Sequence, residues 1–215
     1  MPRNILDIYK EYKIMPTLQM HMLRVAAVAS LIYDNFDGAL EKKDILVTTC
    51  LLHDMANIIK SNMTDFPHFF EPEGVEYWQQ VKDEYIAKYG SYEHHATVAI
   101  MKELGVPERC IELADGIHFS LLCKQRDEDD FLIKIIQLAD KRVSPHGVTS
   151  FLERIAEAKE RYKHKNVGRE AERDMLVACG VDIEKQIFAK CKIKPEDIND
   201  ASVASIIEDL KNFVI

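Results

Sequence analysis

Residues 17–33 read TLQMHMLRVAAVASLIY, and this stretch decides the fold class. Its apolar residues Leu18, Val25, Val28 and Ile32 recur at helical spacing, which places them along one face of an α-helix. His21 shares that face, so we expect its ring to point toward the core. Helical periodicity continues through most of the chain, and no segment alternates as a half-buried strand does. The sequence therefore predicts an all-α protein.

Further helices follow from the same pattern and from capping signals. We expect one helix from Thr17 to Tyr33, a second that Asp44 opens and that runs to Lys60, and a later one from Phe131 to Val143. Ser150 and Glu153 have the spacing of a capping box, in which each side chain binds a backbone N–H of the same helix start.

The length of 215 residues suits one domain with a helical appendage. We predict a helical domain over residues 1–165 and a C-terminal helical extension over residues 166–215, in which Gly180 and Pro195 separate the helices. The extension could pack on the main bundle or contribute to a homodimer, and the sequence leaves both open.

The composition excludes several classes of partner. A net charge of −8 opposes broad attraction to a large nucleic acid or to an anionic membrane, so a phosphorylated substrate would need local cations. No apolar run is long enough to span a membrane, and the first residues, MPRNILDIYKEYKI, lack the apolar core of a signal peptide. The cysteines are odd in number and form no CxxC pair: Cys50, Cys110, Cys123, Cys179 and Cys191. We predict reduced thiols and a cytoplasmic protein.

Candidate metal ligands lie on three of the predicted helices. His53 and Asp54 end an apolar run in CLLHDMANIIK, and Asp140 follows an inward stripe in IIQLADKRVSPHGV. A buried carboxylate is costly unless a cation pairs with it. Together with His21, these residues would meet that cost by sharing a divalent ion, and nitrogen and oxygen ligands suit Mn, Fe, Co, Ni or Zn.

The order His21, His53-Asp54, Asp140 resembles the pattern of the HD-domain superfamily of metal-dependent phosphohydrolases. The resemblance covers the chain from Leu18 to about Val148. CLLHDMANIIK resembles the segment that reads LLHDIG-K in that family, although Ala56 and Asn57 replace its Gly-Lys. LADKRVSPHGV resembles the late segment that supplies the last ligand. The resemblance implies an HD-type helical bundle with additional C-terminal helices.

The resemblance also extends to the dinuclear branch of the family, which binds two ions. In YEHHATVAIMKELGVPE, His95 fits the position of a further ligand better than His94, and His118 in IELADGIHFS fits another. Six ligands would then hold two ions, with Asp54 able to bridge them. The alternative, that these histidines are partly exposed or merely pack, stays open, so one or two ions per chain are expected.

The resemblance implies that hydroxide on the metal attacks phosphorus, with Asp54 as part of the catalytic set. Arg24 follows His21 by three residues, and Arg142 follows Asp140 by two, so both are predicted to hold phosphoryl oxygens. The expected substrate is a nucleotide or another small phosphorylated metabolite.

Two other functions stay open at this point. Some dinuclear HD proteins use two irons and dioxygen to oxidise a substrate, and dependence on iron and oxygen without phosphate release would identify such an oxygenase. An HD scaffold can also be a non-catalytic module that senses a nucleotide or a metal, and metal loading without turnover of any phosphate ester would identify that role.

Overall fold

The structure is a computed structural model that describes residues 2–64, 67–161 and 168–215, apart from the side chain of Phe69. Among these residues the helices in chain order are α1 Ile5–Glu11, α2 Pro16–Asp34, α3 Lys43–Leu52, α4 Val75–Tyr89, α5 Glu93–Leu104, α6 Glu108–Asp115, α7 Leu122–Asp127, α8 Phe131–Asp140, α9 Phe151–Arg161, α10 Glu170–Phe188 and α11 Asp200–Leu210. Short 3₁₀ turns cover Asn57–Lys60, Pro67–Phe70, Phe119–Leu121 and Pro195–Asp197. The predicted all-α fold is confirmed.

A short antiparallel hairpin interrupts the helices after α8. It consists of β1, Val143–Ser144, and β2, Gly147–Val148, with Val143 opposite Val148. The predicted helix through Val143 therefore ends three residues early, at Asp140. The backbone turns there because the Thr149 N–H donates to the Arg142 carbonyl and closes the hairpin at 2.8 Å.

Helix α2 lies at the centre of the bundle, where α3, α8 and α11 pack around it. Ala26, Ala27 and Ala29 are fully buried, as are the larger Val25 and Val28. Small side chains let neighbouring helices approach closely on more than one face. The helix that carries His21 is thus held from several directions, which fixes the position of its inward side chains.

The C-terminal helices pack on the main bundle, with α10 against α7 and α8 and α11 against α2. The last residues also pair with the first: the Arg3 N–H donates to the Ile215 carbonyl at 2.8 Å, and the Ile215 N–H donates back at 2.9 Å. The predicted division between residues 165 and 166 falls outside the described residues.

Helix α3 ends at Leu52, eight residues before the predicted end at Lys60. The Ala56 N–H donates to the Thr97 hydroxyl of α5 at 3.2 Å, instead of to the backbone carbonyl that would continue the helix. The chain then forms the 3₁₀ turn Asn57–Lys60. This break lies directly after His53 and Asp54, so both residues occupy a turn.

Helices α9 and α10 approach each other at Gly180, which lies inside α10 and does not separate two helices as predicted. A Cβ atom at this position would lie 2.2 Å from Cζ of Phe151, the first residue of α9. Glycine therefore serves close packing here. The predicted capping box is confirmed, since Ser150 N–H donates to Glu153 Oε2 at 2.9 Å and Glu153 N–H donates to Ser150 Oγ at 3.2 Å.

Cys123 of α7 and Cys179 of α10 form a disulfide with an S–S distance of 2.13 Å, which corrects the prediction that all five thiols are reduced. The two cysteines are 56 residues apart, and only the packing of α10 on α7 brings them together. The cysteines thus no longer support a cytoplasmic location, because disulfides persist mainly in oxidising compartments. None of the helices that the structure describes combines the length and apolarity needed to cross a membrane.

Candidate metal centre

His53 caps the C-terminal end of α3, where the structure fixes both its backbone and its ring. The Tyr9 hydroxyl donates to the Leu51 carbonyl in the last turn of α3 at 2.7 Å. His53 Nδ1 lies 2.8 Å from the Cys50 carbonyl, so Nδ1 carries the proton and donates it. Nε2 is then the basic nitrogen, and it is buried without a hydrogen-bond partner. This is the tautomer that metal-binding histidines adopt.

Three other predicted ligands face this nitrogen. His53 Nε2 lies 3.8 Å from Asp54 Oδ2 and 3.6 Å from Asp140 Oδ1. His21 Nε2 lies 3.6 Å from Asp54 Oδ2 and 3.2 Å from Asp140 Oδ1. The structure thus brings together His21 of α2, Asp140 of α8 and the turn after α3.

The donor set fits a divalent metal ion. Two ligands at about 2.1 Å from one ion stand roughly 3.0–3.4 Å apart at octahedral or tetrahedral angles. The separations here start within that range and exceed it by a few tenths of an ångström. Of the described residues, His21, His53 and Asp54 offer ligand atoms that all lie within 4.8 Å of one another. The buried Nε2 of His53 supports the same conclusion, because it finds no other partner.

The pKa values of these groups follow from burial and mutual charge. Burial alone would raise the pKa of Asp140, but Lys141 and the two histidines lower it well below its usual range. Burial also opposes ionisation of Asp54, yet His53, Lys60 and His21 bring its pKa down. His53 shows the converse: burial lowers its pKa, and Asp54 and Asp140 raise it more. Both carboxylates are therefore ionised at neutral pH.

Asn57 orients Asp54, a contact that the sequence analysis missed. Its Nδ2 donates to Asp54 Oδ2 at 2.7 Å, which leaves the Asn57 Oδ1 buried without a partner. The signal was the spacing, because residues three apart in a helical turn can touch. In the sequence, Asn57 stands out only because it and Ala56 replace the Gly-Lys of related proteins.

The structure places His94, not His95, beside His118. The rings of His94 and His118 stack with centroids 3.8 Å apart. His95 is exposed and packs edge-on against Tyr92 at 4.6 Å. Burial and the charge of His118 lower the pKa of His94, which keeps its ring neutral and able to bind a metal. The expectation for a further ligand therefore moves from His95 to His94.

Gln137 of α8 fixes the position of His118. Its Nε2 donates to the His118 carbonyl at 2.9 Å, and its Oε1 is buried without a partner. Lys60 and Glu93 pair at 3.8 Å, and both charges act on His94. Gln137 of α8 thus holds the backbone at His118, and the Lys60–Glu93 pair lies close to the His94 ring.

The two arginines predicted to hold phosphate bind elsewhere. Arg142 is 2% exposed, and its guanidinium donates to Glu184 Oε1 at 2.7 Å and to the Pro195 carbonyl at 2.8 Å. Arg24 Nε lies 3.8 Å from Asp200 Oδ1 of α11. Arg142 therefore ties the C-terminal helices to the bundle, which argues against its predicted catalytic role, whereas the role predicted for Arg24 stays a prediction.

Lys141 is a cation that contacts the centre directly. Its Nζ lies 2.5 Å from Asp140 Oδ2, while Asp140 Oδ1 faces the two histidines. The carboxylate is thus held by a cation on one oxygen and presents the other to the metal position. The prediction named Arg142, two residues after Asp140, whereas the contact comes from Lys141, the direct neighbour of Asp140.

The comparisons with known proteins agree with this geometry. The family model described as HD domain matches residues 18–142, which is more than half of the chain and includes His21, His53, Asp54 and Asp140. Neither the search of curated proteins nor the search of solved structures gave a match. The matched region begins in α2 and ends after α8, so α9 to α11 lie beyond it. The chain belongs to the HD-domain family.

Proposed function

We propose that this protein is a metal-dependent phosphohydrolase that acts on a nucleotide or another small phosphorylated metabolite. One observation carries the proposal: the buried Nε2 of His53 lacks a hydrogen-bond partner, and it faces Asp54 and Asp140 beside His21. A divalent cation at such a point can activate water for the hydrolysis of a phosphate ester, and membership of the HD-domain family supports the same reaction.

His21, His53, Asp54 and Asp140 would hold one divalent ion, of Mn, Fe, Co, Ni or Zn. His94 and His118 would contribute ligands to a second. A divalent ion in this site supplies Lewis acidity, which activates water and offsets charge on a phosphoryl group.

The residues of the chain prepare the site for that ion. The Cys50 carbonyl holds the proton of His53 on Nδ1, so Nε2 stays free to coordinate. Asn57 and Lys141 each bind one oxygen of a carboxylate and thereby orient it. Lys141 also brings positive charge next to the position that a phosphoryl group would occupy.

The test combines elemental analysis of the purified protein with phosphate release from a panel of nucleotides and sugar phosphates under Mn, Co, Ni, Mg and Fe. We expect bound metal and metal-dependent release. Asp54→Asn should lose both, with helical circular dichroism unchanged. Asp44→Asn is the matched control, because Asp44 is an exposed acid at the start of the same α3 helix.

Each contrary result has a definite meaning. Two irons per chain without phosphate release would indicate an HD-type oxygenase, and bound metal with no turnover of any ester would indicate a sensing module. Wild-type release by Asp54→Asn would refute the assignment of the site. A metal content of one per chain that His118→Ala leaves unchanged would exclude the second ion.

A further inference from the structure

A cleft of about 450 Å³ lies between α9, α10 and the turn Phe119–Leu121. Its apolar wall includes Phe119, Ile155 and Leu176. Clefts of this size accept small molecules, and apolar walls with a few polar groups are typical of them. The cleft is built mainly from α9 and α10, which lie beyond the part of the chain that matches the HD-domain family.

Four cations line the same cleft: Lys141, Arg154, Arg169 and Arg173. They stand together in a chain whose net charge is −8. Arg154 pairs with Glu157, and Arg169 pairs with Glu172, which is the acid among the described residues of the cleft wall. The cleft thus supplies the local positive charge that an anionic ligand needs in an acidic protein.

Arg173 is the cation with the most unused hydrogen-bond donors among those that the structure describes in this cleft. Its Nη2 donates to the Ile155 carbonyl at 3.3 Å, and among the described residues it forms no ion pair with a carboxylate. A guanidinium has five N–H donors, so most of those on Arg173 are free for a ligand. Its side chain is partly buried, which strengthens a charge-assisted hydrogen bond relative to one in open solvent.

The cleft adjoins the metal centre. Lys141 lines the cleft and also binds Asp140 Oδ2, so its side chain belongs to both. Phe119 and Ser120 line the cleft and directly follow His118, which stacks on His94. Lys141 and the segment from His118 to Ser120 therefore connect the wall of the cleft with the metal centre.

We propose that the cleft binds a second anionic group of the substrate, remote from the phosphate that is cleaved. This inference rests on the proposed function and narrows its substrate class to metabolites with two separated phosphates, such as a nucleoside bisphosphate. Arg173 binds the second phosphate, and the apolar wall contacts the body that joins the two groups. Lys141 lies between them.

The test measures binding of adenosine 3′,5′-bisphosphate and of adenosine 5′-monophosphate to the full metal-loaded chain by calorimetry, with phosphate release followed in the same samples. Wild type should bind the bisphosphate more tightly. Arg173→Gln should weaken bisphosphate binding by about 10- to 100-fold, as expected for lost hydrogen bonds to a charged group, and monophosphate binding by less than about twofold. Arg173→Lys keeps the charge and should lose less.

Lys185→Gln is the matched control, because it removes one positive charge from an exposed position of α10 outside the cleft. It should leave both affinities unchanged. If Arg173→Gln weakened the affinity for both ligands equally, the inference would be overturned. It would also be overturned if inorganic phosphate bound as tightly as the bisphosphate, because the cleft would then bind a free anion. Discrimination by Arg173 without release from any ester would retain the cleft assignment and refute the hydrolase.

Discussion

Gly180→Ala tests whether α9 and α10 are held at the distance that the structure shows. In an exposed helix this substitution stabilises the fold by about 1 kcal/mol, because alanine has the higher helix propensity. Here the added methyl group would lie 2.2 Å from Cζ of Phe151 and within 3.0 Å of two further ring atoms. Phe151 is 1% exposed, so its ring has little room to move.

Overpacking of a buried site costs about 1–3 kcal/mol, and a contact this short belongs at the upper end. After the gain in helix propensity is subtracted, we expect a net loss of about 1–2 kcal/mol. For a protein of this size such a loss lowers Tm by roughly 2–8 °C. Urea unfolding followed by circular dichroism gives the free energy directly.

Phe151→Leu provides the matched background, because it shortens the side chain that the new methyl group would strike. In that background Gly180→Ala should be neutral or stabilising by up to about 1 kcal/mol, and the double-mutant cycle isolates the contact. A rise in Tm from Gly180→Ala in the wild-type background would refute the close packing. The cleft between α9 and α10 would then differ in size from the one described above.

Three further predictions concern the metal centre and its surroundings. Asn57→Ala should weaken metal binding by about 10- to 100-fold in a chelator competition assay, because Asp54 loses the amide that orients it, and Asn62→Ala should have no effect. Arg142→Met should lower the free energy of unfolding, measured in urea, by an amount near the lower end of about 3–5 kcal/mol, because Glu184 loses its buried partner. An unchanged affinity for metal in this variant would show that Arg142 stabilises the fold and takes no part in catalysis. When a chelator removes the metal, protonation of His53 stabilises the fold, because the pKa of His53 is raised in the folded protein. This stabilisation is complete below pH 6.5 and is lost as the pH rises through the raised pKa, so the increase in Tm on adding metal should grow with pH. An increase in Tm that is the same at every pH would contradict the assignment.

The sequence predicted the features that depend on local pattern. Helical spacing in residues 17–33 placed His21 inward, and the structure shows its Nε2 3.2 Å from Asp140 Oδ1. An inward carboxylate at Asp140 required a positive partner, and the structure surrounds it with two imidazoles and Lys141. These inferences needed only the period of the helix and the cost of burying charge.

Features that depend on distant partners could not be predicted. Arg142 follows Asp140 closely in sequence, yet its partner Glu184 lies 42 residues further along the chain. His94 and His95 are adjacent near the start of α5 and point in different directions, which the pattern of apolar residues there did not decide. The disulfide and the basic cleft likewise exist only because α10 returns to pack beside α7 and α9.

The disulfide has a consequence for how the chain is connected. Residues 123–179 form a covalent ring that contains Asp140, Lys141 and all of α9. Closing a loop of this length removes unfolded-state entropy worth about 4 kcal/mol at 25 °C. The bond keeps α7 next to α10, which carries Arg173 and Leu176 of the cleft wall, even when the packing between these helices is lost. Under reducing conditions α7 and α10 are held side by side by packing alone, so the reducing power of the surroundings sets how firmly α10 is joined to the rest of the bundle.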